Sequence, residues 1–367
     1  MEDVIEPDLL IGALQRPQTL RALTPPEHEQ VTRYARRAGL LANLAERAAA
    51  AGVEVPALAD LFEGARLYAA EFSRWVTWEM QQLAPLLARF DCPVLVLKGG
   101  AYLAMDLPSA RGRLVSDLDL LVPKAKIRHV EQVMLAHAYQ AQKQDAYDQQ
   151  YYREWMHELP PLVHLGRGTV VDLHHNLAPP VSRLKIDSAR LFERAVPLEG
   201  DLPFLRLGDE DLVLHLCVHM FHDGELDNAL RELCDLDALL RRFGEDERYW
   251  TRLLARAQEL GLVRPLYYGV HFGRRLLNTP VPRELVHFLE IAAPVPPLRR
   301  WLEAAMRRSI LPPVGEREDL LRQLSRQLLF LRSHWLRMPP MLLLRHLATQ
   351  ARRRGGLKTA EGAAGDV

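Results

Sequence analysis

Cysteine is scarce in this chain: Cys92, Cys217 and Cys234 are far apart, each in an apolar stretch. That spacing excludes a disulfide framework and reads as reduced core thiols of a cytoplasmic protein. Long apolar runs are also missing, since nowhere do about eighteen apolar residues follow one another. The start, Met1-Glu-Asp-Val-Ile-Glu-Pro7, has neither the basic nor the apolar part of a signal peptide, so the reading is a soluble protein that stays inside the cell. Net charge is absent as well. With 47 basic and 47 acidic residues, no global field recruits nucleic acid.

What the 367 residues do contain is enough apolar sequence for two or three compact units. Residues 1–90 read as helical. Pro25-Pro26-Glu27 starts one helix running to about Ala51, and Val55-Pro56 precedes a longer one ending near Phe90. Trp75, Trp78 and the leucines at 83, 86 and 87 read as the buried stripe of that second helix. Residues 91–208 read as an α/β unit: a strand at 93–97, a glycine turn and helix, a strand at 117–122, a helix at 125–139, and a last strand in 202–207. Leu162-Val-His-Leu165 and Thr169-Val-Val-Asp-Leu173, separated by Gly166-Arg-Gly168, read as a hairpin. Helices resume over 209–354, opened by Asp209-Glu-Asp211 at a positive helix end. The Gly- and Ala-rich 355–367 reads as a disordered tail. The fold class is therefore mixed α/β between helical N- and C-terminal regions.

Chemistry concentrates in two stretches, Val94-Leu-Val-Leu-Lys98-Gly99-Gly100 and Arg111-Gly-Arg113-Leu-Val-Ser116-Asp117-Leu-Asp119-Leu-Leu-Val122. On a strand, residues i and i+2 share a face, so Asp117 and Asp119 emerge together while Leu118 and Leu120 face the core. Two such close charges call for a cation, and Mg²⁺ suits hard oxygen ligands combined with substrate phosphates. Asp172, in another apolar, β-branched run, is the candidate third carboxylate. Parity places His174 on its face and His175 on the other.

The ordered set Leu-Lys-Gly-Gly, Arg-x-x-Ser-Asp-Leu-Asp-Leu-Leu-Val and Val-Asp-Leu-His-His resembles the uncharacterised bacterial nucleotidyltransferases of the DNA polymerase β-like superfamily. The resemblance spans roughly residues 90–240, reaching Leu212-Val-Leu-His215-x3-His219 and Arg231-Glu-Leu-Cys-Asp235. It implies a polymerase-β-like core, a small mixed sheet with flanking helices, in a phosphoryl-transfer enzyme. It also implies Asp117, Asp119 and Asp172 as ligands of two Mg²⁺ ions, with Mn²⁺ as a substitute, and Gly99 and Gly100 at the phosphates. Together with the residue chemistry it points to transfer of a nucleoside monophosphate from a triphosphate, ATP first, with pyrophosphate leaving. Asp117 and Asp119 would bridge both ions, and Asp172 would accept the acceptor's proton. Lys98, Arg111 and Arg113 are candidates for neutralising phosphate, and Ser116 and His174 for touching the nucleotide. Sixteen residues separate Gly100 from Asp117, more than is usual in the wider superfamily, so chemistry transfers more safely than substrate. The acceptor is not legible in the sequence: a small hydroxylated or amino-bearing metabolite, a peptide or protein, and RNA all stand open, and the neutral charge argues against a long nucleic acid.

Further readings compete at the margins. His215, His219 and His222 recur on one helical stripe beside Asp223, where packing against the sheet is favoured over a zinc site because no Glu follows the first His. Arg231 and Asp235, one turn apart, read as a pair in preference to facing the cleft. Tyr147, Tyr151 and Tyr152 offer a stacking surface of low weight. Residues 321–354 hold eight arginines and no acid, and read as a helix pair packed on the chain in preference to an RNA-binding or membrane-surface segment. Two rival functions stand beside the enzyme: a non-catalytic nucleotide-binding scaffold, and RNA binding through those arginines.

Overall fold

The computed structural model describes residues 7–142, 145–223, 226, 228–313, 319–345 and 349, with the side chains of Pro7, Ala146 and Asp223 left aside. The tail read as disordered lies outside these residues.

Seven strands form one mixed sheet: β1 (Leu95–Val96), β2 (Asp117–Leu121), β3 (Tyr139–Ala141), β4 (Leu162–His164), β5 (Val170–His174), β6 (Val196–Pro197) and β7 (Leu205–Arg206). Their order is β3-β4-β5-β2-β1-β7-β6. Pairing is parallel between β2 and β5 and between β1 and β7, and antiparallel elsewhere. This bears out the mixed α/β class and the 162–173 hairpin, and brings the Asp172 strand directly beside the Asp117 strand. Several elements are shorter than their sequence patterns: the 93–97 and 202–207 strands shrink to two residues each, and the 125–139 helix to Ile127–Leu135.

Helices cover the sheet. The helix expected from Pro25 to Ala51 is two, Pro25–Arg37 and Leu41–Ala50, because Gly39 turns the chain at φ +66°. The long helix Ala59–Phe90 is present, but its buried face carries Ala69, Val76, Met80, Leu83 and Phe90. Leu83 therefore meets the expectation. Trp75 and Trp78, 52% and 45% exposed, correct it: both lie off the stripe defined by Val76, Met80 and Leu83. Buried Glu79 on this helix makes a two-pronged pair with Arg167 of the hairpin loop, 2.7 Å for each contact, and takes the hydroxyl hydrogen of Tyr139. The helical layer is thereby fastened to the sheet edge.

From Asp209 onward the chain is helical as expected. Buried Arg256 donates to both oxygens of buried Asp211 at 2.7 Å, tying Glu247–Glu259 to Asp209–Val218. Arginines of the C-terminal helix are engaged internally: Arg322 donates to the carbonyls of Arg308 and Leu311, and Arg332 to that of Phe221 at 2.9 Å. Among the described residues, no helix is long and apolar enough to cross a membrane.

Candidate active site

Register assembles the site. In the parallel β2–β5 pair Asp119 stands opposite Asp172, and Asp117 sits two residues earlier on the same face. Carboxylate oxygens from all three lie within 4.8 Å of one another. Leu118, Leu120, Val171 and Leu173 on the alternate positions are fully or almost fully buried, so the apolar face fixes which way the acids point.

The three acids differ in their surroundings. Asp119 is compensated: Lys98 Nζ lies 2.8 Å from its Oδ1, and His174 Nε2 lies 2.9 Å from the same oxygen. Burial pushes the Asp119 carboxyl up, but Lys98 and His174 outweigh it and hold the group well below the usual range. Burial also opposes the charge on Lys98 and His174, yet Asp119 keeps both above their ordinary values. Asp172 has no such neighbour. Its Oδ1 is buried without a hydrogen-bond partner among the described residues, and burial together with Asp119 pushes its carboxyl up to about 7. Burial and Asp119 likewise raise Asp117, against the pull of Lys98, Arg113 and Arg231.

This donor set fits a hard divalent cation. Three convergent carboxylates, one with an orphaned buried oxygen, supply oxygen ligands and uncompensated negative charge.

Other expected residues fall in distinct places. Lys98 takes a left-handed backbone, φ +41°, at the head of the helix Lys98–Ala104, a costly conformation for a residue with a Cβ. Gly99 and Gly100 are buried against the sheet. A Cβ on Gly99 would come within 2.9 Å of both Val115 methyl groups, and one on Gly100 within 2.8 Å of Val96 and 2.9 Å of Leu118. Close helix-on-sheet packing therefore demands glycine at both positions. Arg111 is exposed, 3.9 Å from Asp106, and Ser116 is exposed with its hydroxyl 3.4 Å from Asp117. Arg113 is buried in an ion pair with Asp235.

That last contact corrects the expected Arg231–Asp235 pair, because Arg113 from the loop before β2 takes Asp235 instead. Arg231 is left with its Nε buried and unpartnered among the described residues. Burial, reinforced by Arg113, lowers its pKa to about 10, while Glu232 and Asp117 support its charge. A buried cation that acts on Asp117 is a candidate site residue that pair-spacing on a helix conceals.

The histidine stripe disperses. His222 meets Ser182 at 2.8 Å, His219 meets Glu232 at 3.0 Å, and His215 is buried, with burial and Lys98 holding it well below its ordinary range. His215 and His222 are buried, and these contacts are to Ser182 and Glu232, neither of them a residue of the sheet. Sequence spacing also misses His157 and Glu158, which approach His174 from a separate segment: Glu158 pairs with His174 across a β-bridge, and the His157 and His174 rings are 5.4 Å apart.

A family model described as uncharacterised nucleotidyltransferase matches residues 24–278. Among solved structures, an antigenic nucleotidyltransferase-like protein from Paracoccidioides brasiliensis is similar at 15% identity, covering 59% of this chain and 96% of that chain. Its TM-score of 0.29 is too low to bear on the site. No curated protein matches.

Proposed function

The chain belongs to the uncharacterised nucleotidyltransferase family, and on that premise we propose that it is a cytoplasmic, Mg²⁺-dependent enzyme that moves a nucleoside monophosphate from a triphosphate, ATP first, to a small-molecule or protein acceptor. The observation that carries this reading is the convergence of Asp117, Asp119 and Asp172 with one buried carboxylate oxygen left open. These three residues would hold the metal, which when bound neutralises the triphosphate and braces the pyrophosphate leaving group.

The chain's own groups supply the rest. An acceptor hydroxyl or amine attacks the α-phosphorus; the new acceptor–phosphorus bond forms as the bond to the β-phosphate oxygen breaks, and pyrophosphate departs with that electron pair. Asp172, whose carboxyl burial and Asp119 push up, takes the acceptor's proton. Lys98 and Arg231 bring positive charge beside the triad for the phosphates, and exposed Ser116 borders it. Arg113 acts from its pair with Asp235 and adds field rather than a free guanidinium. Gly99 and Gly100 bring the Lys98 turn close against β1 and β2. His174 positions Asp119 through its Nε2.

The test is transfer of α-labelled nucleotide to pools of hydroxylated metabolites, amines and peptides, with pyrophosphate measured in parallel. Metal-dependent labelling that disappears in Asp119→Asn supports the proposal. Tight nucleotide binding with no pyrophosphate released on any pool would instead mark a non-catalytic binding protein.

A further inference from the structure

Beyond the end of β5 the chain builds a second, chemically different donor set. The segment after the π-helical turn Tyr151–Trp155 runs back along β5, fixed by backbone hydrogen bonds of 2.8 Å from Leu159 to Leu173 and from His175 to His157. That pairing brings Glu158 opposite His174. One donor atom from each of His157, Glu158 and His174 then falls within a 4.8 Å cluster.

Each of the two imidazoles in the cluster carries a ring nitrogen with no hydrogen-bond partner. His157 Nδ1 and His174 Nδ1 are both buried and unpartnered among the described residues, on side chains 7% and 2% exposed. Glu158 Oε2 stands 3.4 Å from His174 Nδ1, beyond good hydrogen-bonding geometry. A buried polar atom left unsatisfied costs about 1–3 kcal/mol, so two on adjoining imidazoles of one cluster call for a ligand. The other face of His174 is already occupied, since its Nε2 hydrogen-bonds Asp119 Oδ1 at 2.9 Å. A proton on Nε2 directed at a carboxylate leaves the Nδ1 lone pair free, the arrangement by which a carboxylate orients a metal-binding imidazole.

We propose that His157, Glu158 and His174 form a binding site for a borderline transition-metal dication, with Zn²⁺ as the reference ion. Two imidazole nitrogens and one carboxylate suit zinc-like ions, whereas Mg²⁺ takes oxygen donors. Three protein ligands leave a coordination position for water or a substrate group. The site touches the triad through the His174–Asp119 hydrogen bond, so an occupied site fixes the orientation of Asp119. It stands whether or not the chain transfers nucleotides.

The experiment uses the full chain, stripped with chelator and kept in millimolar Mg²⁺ to saturate carboxylate sites. Zn²⁺ is titrated with the retained metal counted after desalting, and Co²⁺ is titrated in parallel for its visible absorption. The expected result is one equivalent per chain, unchanged in Asp172→Asn and weakened at least about tenfold in His157→Gln and in Glu158→Gln. Glu158 is a quarter exposed, so its variant stands even if His157→Gln does not fold. No stoichiometric uptake, uptake that survives the Glu158 change, or uptake lost in Asp172→Asn would each overturn the site.

Discussion

Buried acids in the helical layers and the acids of the β2–β5 face, where Asp119 is buried and Asp117 and Asp172 are half-buried, live under opposite charge conditions. Asp211 faces Arg256 with both oxygens, Glu79 faces Arg167 in the same way, and Glu131 receives two contacts from Arg153. Asp237 takes Arg241 and Thr279, both at 2.8 Å. Each of these charges is matched locally and joins two elements. On the β2–β5 face, three carboxylates share Lys98, His174 and the field of Arg231, and both Lys98 and His174 sit on a single oxygen of Asp119. The contrast separates charge that holds the fold from charge kept unbalanced for a ligand, and excess of one sign marks the functional face more sharply than burial does.

The largest effect that would sharpen this contrast is on stability. Arg256→Met strands a buried carboxylate and should lower unfolding free energy by about 3–5 kcal/mol in denaturant titration, with divalent-metal affinity unchanged. Asp172→Asn should do the reverse. Removing an uncompensated charge should leave the melting temperature unchanged or higher, while transfer falls by about a thousandfold, as loss of a metal ligand and base implies. A melting temperature lowered as far as in Arg256→Met would erase the distinction between the two groups of acids.

A smaller effect follows from titration. The carboxyl of Asp172 is raised to about 7, so between about pH 4 and 7 the folded chain holds a proton there that the unfolded chain has released. Stability without divalent ions should therefore fall as pH rises through that window, and the fall should shrink in Asp172→Asn. Asp119, held low, has the opposite sign: its contribution is present above the ordinary carboxylate range and is lost only as pH drops through its depressed value. Thermal melts in chelator, repeated with saturating Mg²⁺, read both. The smallest expected effect concerns packing beneath the site: Gly100→Ala should cost about 1–3 kcal/mol by pressing on Val96 and Leu118, visible as a lower denaturation midpoint.

Local pattern carries a large part of this architecture. The Asp117-x-Asp119 alternation, the hairpin around Gly166–Gly168 and the placement of His174 beside Asp172 all follow from a period of two, which one sequence displays in full. The adjacency of β2 and β5 was legible only as an expectation from strand character; its register, Asp119 against Asp172, comes from the folded chain. What stayed hidden depends on contacts between distant segments. Arg113 reaches Asp235 across 122 positions of sequence and so releases Arg231, and nothing in the spacing of Arg231 and Asp235 signals it. Trp75 and Trp78 misled because aromatic content was taken for the buried face, where Val76, Met80 and Leu83 set the phase. His157 and Glu158 carry a weak signal, a His-Glu pair after a Tyr-rich stretch, which becomes informative only once the bridge to His174 is formed.

The central claim is that the unbalanced acids await a cation carrying a nucleotide. Calorimetric titration of ATP into the full chain, with and without Mg²⁺, and again in Asp117→Asn, addresses it directly. The account predicts binding that requires Mg²⁺ and disappears in the variant. Binding of equal strength without the metal, or unchanged by loss of the Asp117 charge, would contradict it.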